Sequence, residues 1–300
     1  MKKELYYTSS NGSDTIYASI YTCENPKIIV QILHGMCEHI ERYEDFADFL
    51  NEHNIIMAGN NHLGHGKTAS KLGFFSSENS LEYAISDINI LSDKLKQEYN
   101  LPIVYLGHSM GSFLLRYYMS KHTTEKSIIM GTGYINNFSA YSLLFLSSLI
   151  SLFKGDDYTS SFIINLTTDK FGKMVNGEKY DWISYNKENI SQYINDPYCN
   201  FDFTLNGYKT LSKCIIEINK KSTIKKTDPN TNILFISGKD DPVGNFKKGV
   251  IKVYNKYKKA GFKNIKLKLL DNMRHEILNE ENRHEVYDIL LNFINKKTVN

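Results

Sequence analysis

Residues 103–120 read as a strand, a sharp reversal and a helix, and the reversal holds one serine between two glycines. Ile103-Val104-Tyr105-Leu106 is strand-like, Gly107-His108-Ser109-Met110-Gly111 turns the chain, and a helical run begins near Ser112. Glycines on both sides remove the Cβ atoms that would clash where the chain doubles back, so the Ser109 hydroxyl projects above a sheet edge. The helix N-terminus behind it favours negative charge developing nearby. Chance supplies such a pentapeptide in about a tenth of chains this long, so the weight lies on the strand-to-helix setting. That setting demands a buried strand before the turn and a covering helix after it, which confines the fold to an α/β class.

The rest of the chain has the matching rhythm. Leu5–Thr8 and Thr15–Tyr21 flank the turn Asn11-Gly12-Ser13-Asp14 as a hairpin. Ile28–Leu33 is a continuous apolar run suited to a strand buried on both faces. Helical and strand-like runs then alternate: a helix at 42–53, a strand at 55–58, a helix at 81–99, the strand before Ser109, a helix at 112–120 and a strand at 127–130. The rhythm returns with strands Ile233–Ser237 and Ile265–Leu270 and helices near 246–260 and 281–294. Residues 134–210 lack it, being aromatic, Asn- and Ser-rich and helical in patches. The expectation is an α/β core of residues 1–133 and 211–300, built on a mostly parallel eight-stranded sheet with helices on both faces. A helical cap at 134–210 interrupts it.

The 300 residues can bury a substantial core. A net charge of +3 is too small for a nucleic-acid partner, and the lysines of Lys247–Lys268 sit between apolar residues as a solvated face would. The apolar run Tyr141–Phe153 holds four serines and falls short of the roughly twenty residues of a bilayer span. Cys23, Cys37, Cys199 and Cys214 lack metal-type spacing, and Met1-Lys2-Lys3-Glu4 lacks a secretory apolar segment. The expected location is therefore cytoplasmic, with reduced thiols. The sequence sets no oligomeric state.

A serine needs a base, and imidazole titrates in the right range. His275 is best placed, in the loop beyond Ile265–Leu270, where a residue at the C-terminal end of a late strand reaches the crevice at that edge. His284 belongs to a charged helix surface, and the elbow should turn His108 away from Ser109. His62 and His65 lack a third ligand, so no metal is expected, and the chemistry calls for no cofactor. The acid that fixes the base comes from Gly238-Lys239-Asp240-Asp241-Pro242, one β/α unit earlier; Asp241 is preferred and Asp240 is the alternative. The order Ser, Asp, His is that of α/β-hydrolases. An oxyanion hole needs two backbone N–H donors, for which Met110 and Met36 are the candidates.

These segments resemble a known group. His34-Gly35-Met36-Cys37-Glu38-His39 with Arg42-Tyr43 is similar to the His-Gly-x-x-Glu-His-x-x-Arg-Tyr segment of monoacylglycerol lipase and lysophospholipase-like hydrolases, often filed with the serine aminopeptidase S33 family. Gly64–Thr68, Gly107–Gly111, Gly238–Val243 and Arg274-His275-Glu276 agree in order and spacing, with Thr68 where serine is usual and Asn61 where aspartate is frequent. The resemblance spans about residues 25–130 and 195–295 and omits the cap. It implies the α/β-hydrolase fold, catalytic Ser109, Asp241 and His275, and oxyanion donors Met36 and Met110.

The substrate expected is a small acyl ester such as a monoacylglycerol or lysophospholipid. Phe138–Phe153 serves either as a core-facing cap helix or as an acyl-chain wall or lid in transient contact with a membrane surface. An amide hydrolase needs a cap carboxylate for the substrate ammonium, with Asp156, Asp157, Asp169 and Glu178 available. A binding protein without catalysis is the third reading, which the complete Ser–Asp–His set opposes.

Overall fold

The computed structural model describes residues 1–296; residues 297–300, the tail of the expected 211–300 core segment, lie outside the described part. Eight strands form one sheet: β1 (Lys2–Thr8), β2 (Thr15–Tyr21), β3 (Ile28–Leu33), β4 (Ile55–Asn60), β5 (Ile103–His108), β6 (Lys126–Met130), β7 (Asn232–Gly238) and β8 (Ile265–Leu270). Their spatial order is β1-β2-β4-β3-β5-β6-β7-β8. The first two strands pair antiparallel, β2 meets β4 antiparallel, and all later pairs are parallel.

Side-chain alternation divides the core between two faces. In β3, Ile29 and Leu33 point to one face and Val30 and Ile32 to the other. The first face is covered by α2 (Ser80–Tyr99), α3 (Met110–Tyr118), α8 (Leu205–Asn219) and α10 (Lys248–Lys259). The second is covered by α1 (Glu44–Glu52), through Phe46 and Leu50, and α11 (Arg283–Asn295), through Val286, Leu290 and Ile294. At the rim, β8 keeps Lys266 and Lys268 exposed, as befits an edge strand.

Between β6 and β7 the chain runs through α4 (Asn137–Lys154), α5 (Ser161–Thr167), α6 (Lys170–Met174), α7 (Lys187–Asn195), α8 and α9 (Lys221–Lys226). Helix α8 starts at 205, ahead of the expected boundary at 210, and packs on both α3 and α4. Its buried Leu205, Tyr208, Ile215 and Ile218 join the core on the first face of the sheet. Helix α4 uses both of its sides: Leu143 and Leu146 face an internal cavity, while Phe145, Leu152 and Phe153 are 66–81% exposed. Among the described residues no helix is long and apolar enough to cross a membrane.

Candidate active site

Strands β3 and β5 are neighbours, but their following segments leave toward opposite sides of the sheet, and such a switch point opens a crevice at the strands' C-terminal ends. Ser109 follows β5 into that crevice. Its backbone is left-handed, at φ 51° and ψ −119°, and its N–H donates to Met130 O at 3.0 Å. A Cβ at Gly111 would strike the Leu33 carbonyl and one at Gly107 the Gly111 carbonyl, so the elbow closes only with glycine at both places.

The loops after β7 and β8 meet the serine from the other side. His275 Nε2 lies 2.8 Å from Ser109 Oγ, and its Nδ1 lies 3.0 Å from Asp241 Oδ2. Asp241 is fully buried and also accepts from Val243 N–H at 2.8 Å and Ser237 Oγ–H at 3.3 Å. Asp240 faces outward and accepts from the Tyr185 hydroxyl at 3.2 Å. Of the two aspartates it is Asp241 that the structure brings to His275. A Cβ at Gly238 would run into the Met273 and Arg274 carbonyls, which is how the two loops come so close. The Met36 and Met110 amides flank Ser109 from the loop after β3 and the first turn of α3, and neither donates to a protein acceptor among the described residues.

Around this line lies a buried ionic network that sequence reasoning missed. The Glu38 carboxylate accepts from Gly35 N–H at 2.5 Å, Tyr43 Oη–H at 3.0 Å and Arg42 at 3.2 Å, and meets His108 Nδ1 at 3.1 Å. Arg42 donates to both oxygens of Glu276 at 2.7 and 2.8 Å and to Asn189 Oδ1 at 2.8 Å. Burial pushes the Glu38 carboxyl up, but His108 and Arg42 outweigh it and hold it well below the usual range. His108 is raised in turn, burial being overcome by Glu38. The His108 ring packs 4.9 Å from that of His275, with Trp182 at 5.2 Å on the same ring, and Nε2 lies 3.3 Å from His275 O. The available signal was Glu38 and Arg42 four residues apart in the segment after β3.

His62 and His65 gain a third imidazole in the fold, because His34 lies 4.2 and 5.2 Å from their rings. Both nitrogens of His34 are already taken. His34 Nδ1 meets Gly35 O at 2.8 Å and its Nε2 accepts from His62 N–H at 3.0 Å. Burial and the neighbouring imidazoles push His62 and His65 down to about 3, so both are neutral. His284 is exposed on α11, as expected.

Ser109 and His275 open onto a cavity of about 650 Å³. Met36, Phe113, Leu143, Leu146, Tyr208 and Ile215 make its walls apolar, a volume and lining suited to a lipid-like ligand. Of the four cap carboxylates considered, only Asp169 lines it. Asp156 and Asp157 are paired elsewhere, with Lys209 and Lys71.

Comparison with known proteins bears on the fold and the family. A carboxyl esterase from Bacillus coagulans, solved with glycerol, superposes with a TM-score of 0.92 at 28% identity over 99% of both chains. A lipase solved in an open form gives 0.87 at 27% over 98% of both. Mouse (Mus musculus) monoglyceride lipase is 25% identical over 176 residues, 57% of this chain and 52% of the relative. The monoacylglycerol lipase of Mycolicibacterium smegmatis is 26% identical over 124 residues, 41% and 43% respectively. The chain thus spans about half the length of the curated relatives it matches. The fold is the α/β-hydrolase fold, and since the family described as serine aminopeptidase, S33, matches residues 24–282, the chain belongs to that family.

Proposed function

We propose that this protein is a serine hydrolase that cleaves carboxylic esters of acyl chains, such as monoacylglycerols or lysophospholipids, through an acyl-enzyme on Ser109. The observation that carries the reading is the hydrogen-bonded line Asp241–His275–Ser109 opening onto the apolar cavity. His275 Nε2 takes the Ser109 proton as Oγ attacks the ester carbonyl. The Met36 and Met110 amides donate to the tetrahedral oxyanion, and Asp241 stabilises the imidazolium and fixes its tautomer. His275 returns the proton to the departing alcohol. Water, deprotonated by the same nitrogen, then attacks the acyl-enzyme and releases the acid and the free serine.

In this reading residues 134–210 act as a cap and α4 is its lid. The bare phenyl rings of α4 support reversible contact with a lipid surface, from which an acyl chain could pass to the cavity on its inner side. Four free thiols support a reducing, cytoplasmic setting. An amide-cleaving alternative has one observation in its favour: Asp169 Oδ1, at the cavity, accepts no hydrogen bond and lies 3.8 Å from the Lys179 ammonium, whose place a substrate ammonium would take.

The test is a panel of p-nitrophenyl esters of rising chain length, an aminoacyl anilide and a fluorophosphonate probe. Ester turnover that rises with chain length, with labelling lost in Ser109→Ala, is the expected result. Labelling that survives Ser109→Ala would refute the mechanism, and cleavage of the anilide but not the esters would refute the substrate class.

A further inference from the structure

We propose that His39, Asp196 and Cys199 form a binding site for a divalent transition-metal ion, with zinc the best match, that fastens the end of α7 to the loop after β3. The His39 imidazole, the Asp196 carboxylate and the Cys199 thiol bring one ligand atom each to within 4.8 Å of one another. Tetrahedral zinc, with bonds of about 2.0–2.3 Å, sets its ligands roughly 3–4 Å apart, so small side-chain rotations close the site. Nitrogen, oxygen and sulfur together suit zinc better than the oxygen-seeking calcium or magnesium.

Three further features prepare the site. His39 Nε2 already points at Asp196 Oδ2, 2.8 Å away, while Nδ1 is held by Glu41 Oε2 at 2.9 Å. A carboxylate on the far nitrogen is the usual means of orienting a metal-binding imidazole. Asp196 and Cys199 are ligands three residues apart on a tight turn, Asp196-Pro197-Tyr198-Cys199. Tyr198 N–H donates to Asp196 Oδ1 at 2.7 Å and Cys199 N–H to Asp196 O at 3.0 Å. Such a two-residue spacer is typical of metal knuckles.

The cleft outside is also suited to a cation. It is lined by Glu41, Glu44, Asp45, Glu188 and Asp196, against Arg42 and Arg283, and Arg42 is already committed to Glu276. His39 and Cys199 are nearly buried behind it. Coordination replaces protons: the ion displaces the proton of His39 Nε2 and that of the Cys199 thiol, and both pass to solvent. Sequence spacing hides the site, because His39 and Asp196 lie 157 residues apart.

The full chain, stripped with a chelator and dialysed, is titrated with cobalt(II) chloride and then with zinc chloride. One equivalent of cobalt should give a thiolate-to-metal charge-transfer band that zinc bleaches. The band should be absent in Cys199→Ser and His39→Gln and retained in Cys23→Ser. Zinc should raise the unfolding temperature of the wild type and not that of Cys199→Ser. Asp196→Asn, which keeps the Tyr198 hydrogen bond, should weaken cobalt binding by about tenfold or more with an unchanged circular dichroism spectrum. No band in the wild type, or a band that persists in Cys199→Ser or His39→Gln, would overturn the site. The outcome is independent of ester hydrolysis, so failure of the metal site leaves the Ser109 reading intact, and the reverse holds too.

Discussion

Replacing Asp241 by Asn keeps the shape of a fully buried side chain and removes one charge 3.0 Å from His275 Nδ1. Two losses follow. With the charge centres about 4 Å apart and an effective dielectric near 20, the carboxylate stabilises the imidazolium by about 4 kcal/mol, or roughly a thousandfold in rate. The amide also offers a donor to Nδ1, which moves the ring proton to Nε2, where it blocks acceptance of the Ser109 proton. Together these should lower kcat/KM for a p-nitrophenyl ester by about 10³–10⁴ and slow fluorophosphonate labelling alike. Asp240→Asn, whose partner is the Tyr185 hydroxyl, should retain most of the activity. Both variants need matching urea midpoints for the comparison to count. A drop of less than tenfold for Asp241→Asn, or an equal drop for Asp240→Asn, would refute the role assigned to Asp241.

Other consequences are open to test. Arg42→Met leaves Glu38 and Glu276 buried without their cation and should cost about 3–5 kcal/mol of stability in urea unfolding. Burial pushes the Glu276 carboxyl up but Arg42 outweighs it, so its lowered native pKa stabilises the fold above the free carboxyl range and that stability is lost as pH falls; Arg42→Met should flatten this acid limb. Serine at Phe145 and Phe153 should weaken binding to lipid vesicles, each ring contributing about 1.5–3 kcal/mol, while turnover of short soluble esters is kept. Arg116 of α3 is buried, and its Nε and Nη2 donate to no acceptor among the described residues. Arg116→Met should therefore raise the unfolding free energy by about 1–3 kcal/mol, and a loss of that size would contradict the assignment of an uncompensated charge.

The strands were legible because most are buried on both faces. Ile28–Leu33 and Ile103–His108 had to be apolar runs, and the structure buries nearly every residue of both. The residues at the site were legible for a related reason: each follows a strand end, and a strand end fixes where its loop emerges. What escaped the sequence was contact between distant side chains. Glu276 reaches Arg42 across 234 positions, and neither residue alone has an unusual neighbourhood. Helix α4 was ambiguous because apolar residues surround it, and only tertiary packing decides which side touches the cavity and which stays bare. Helix α8, which crosses position 210, escaped for the opposite reason. Helix α8 carries the polar residues Asn206, Thr210 and Ser212, yet all three are buried in the covering layer.

The backbone of Ser109 restricts which nucleophiles this fold can host. A left-handed residue costs roughly 1–3 kcal/mol, which the surrounding sheet and helix must supply, so stability alone would favour glycine at this position. Threonine, branched at Cβ, fits that region still less well than serine. Cysteine has serine's shape. The elbow therefore leaves a one-atom route from oxygen to sulfur chemistry and closes the route to a secondary alcohol.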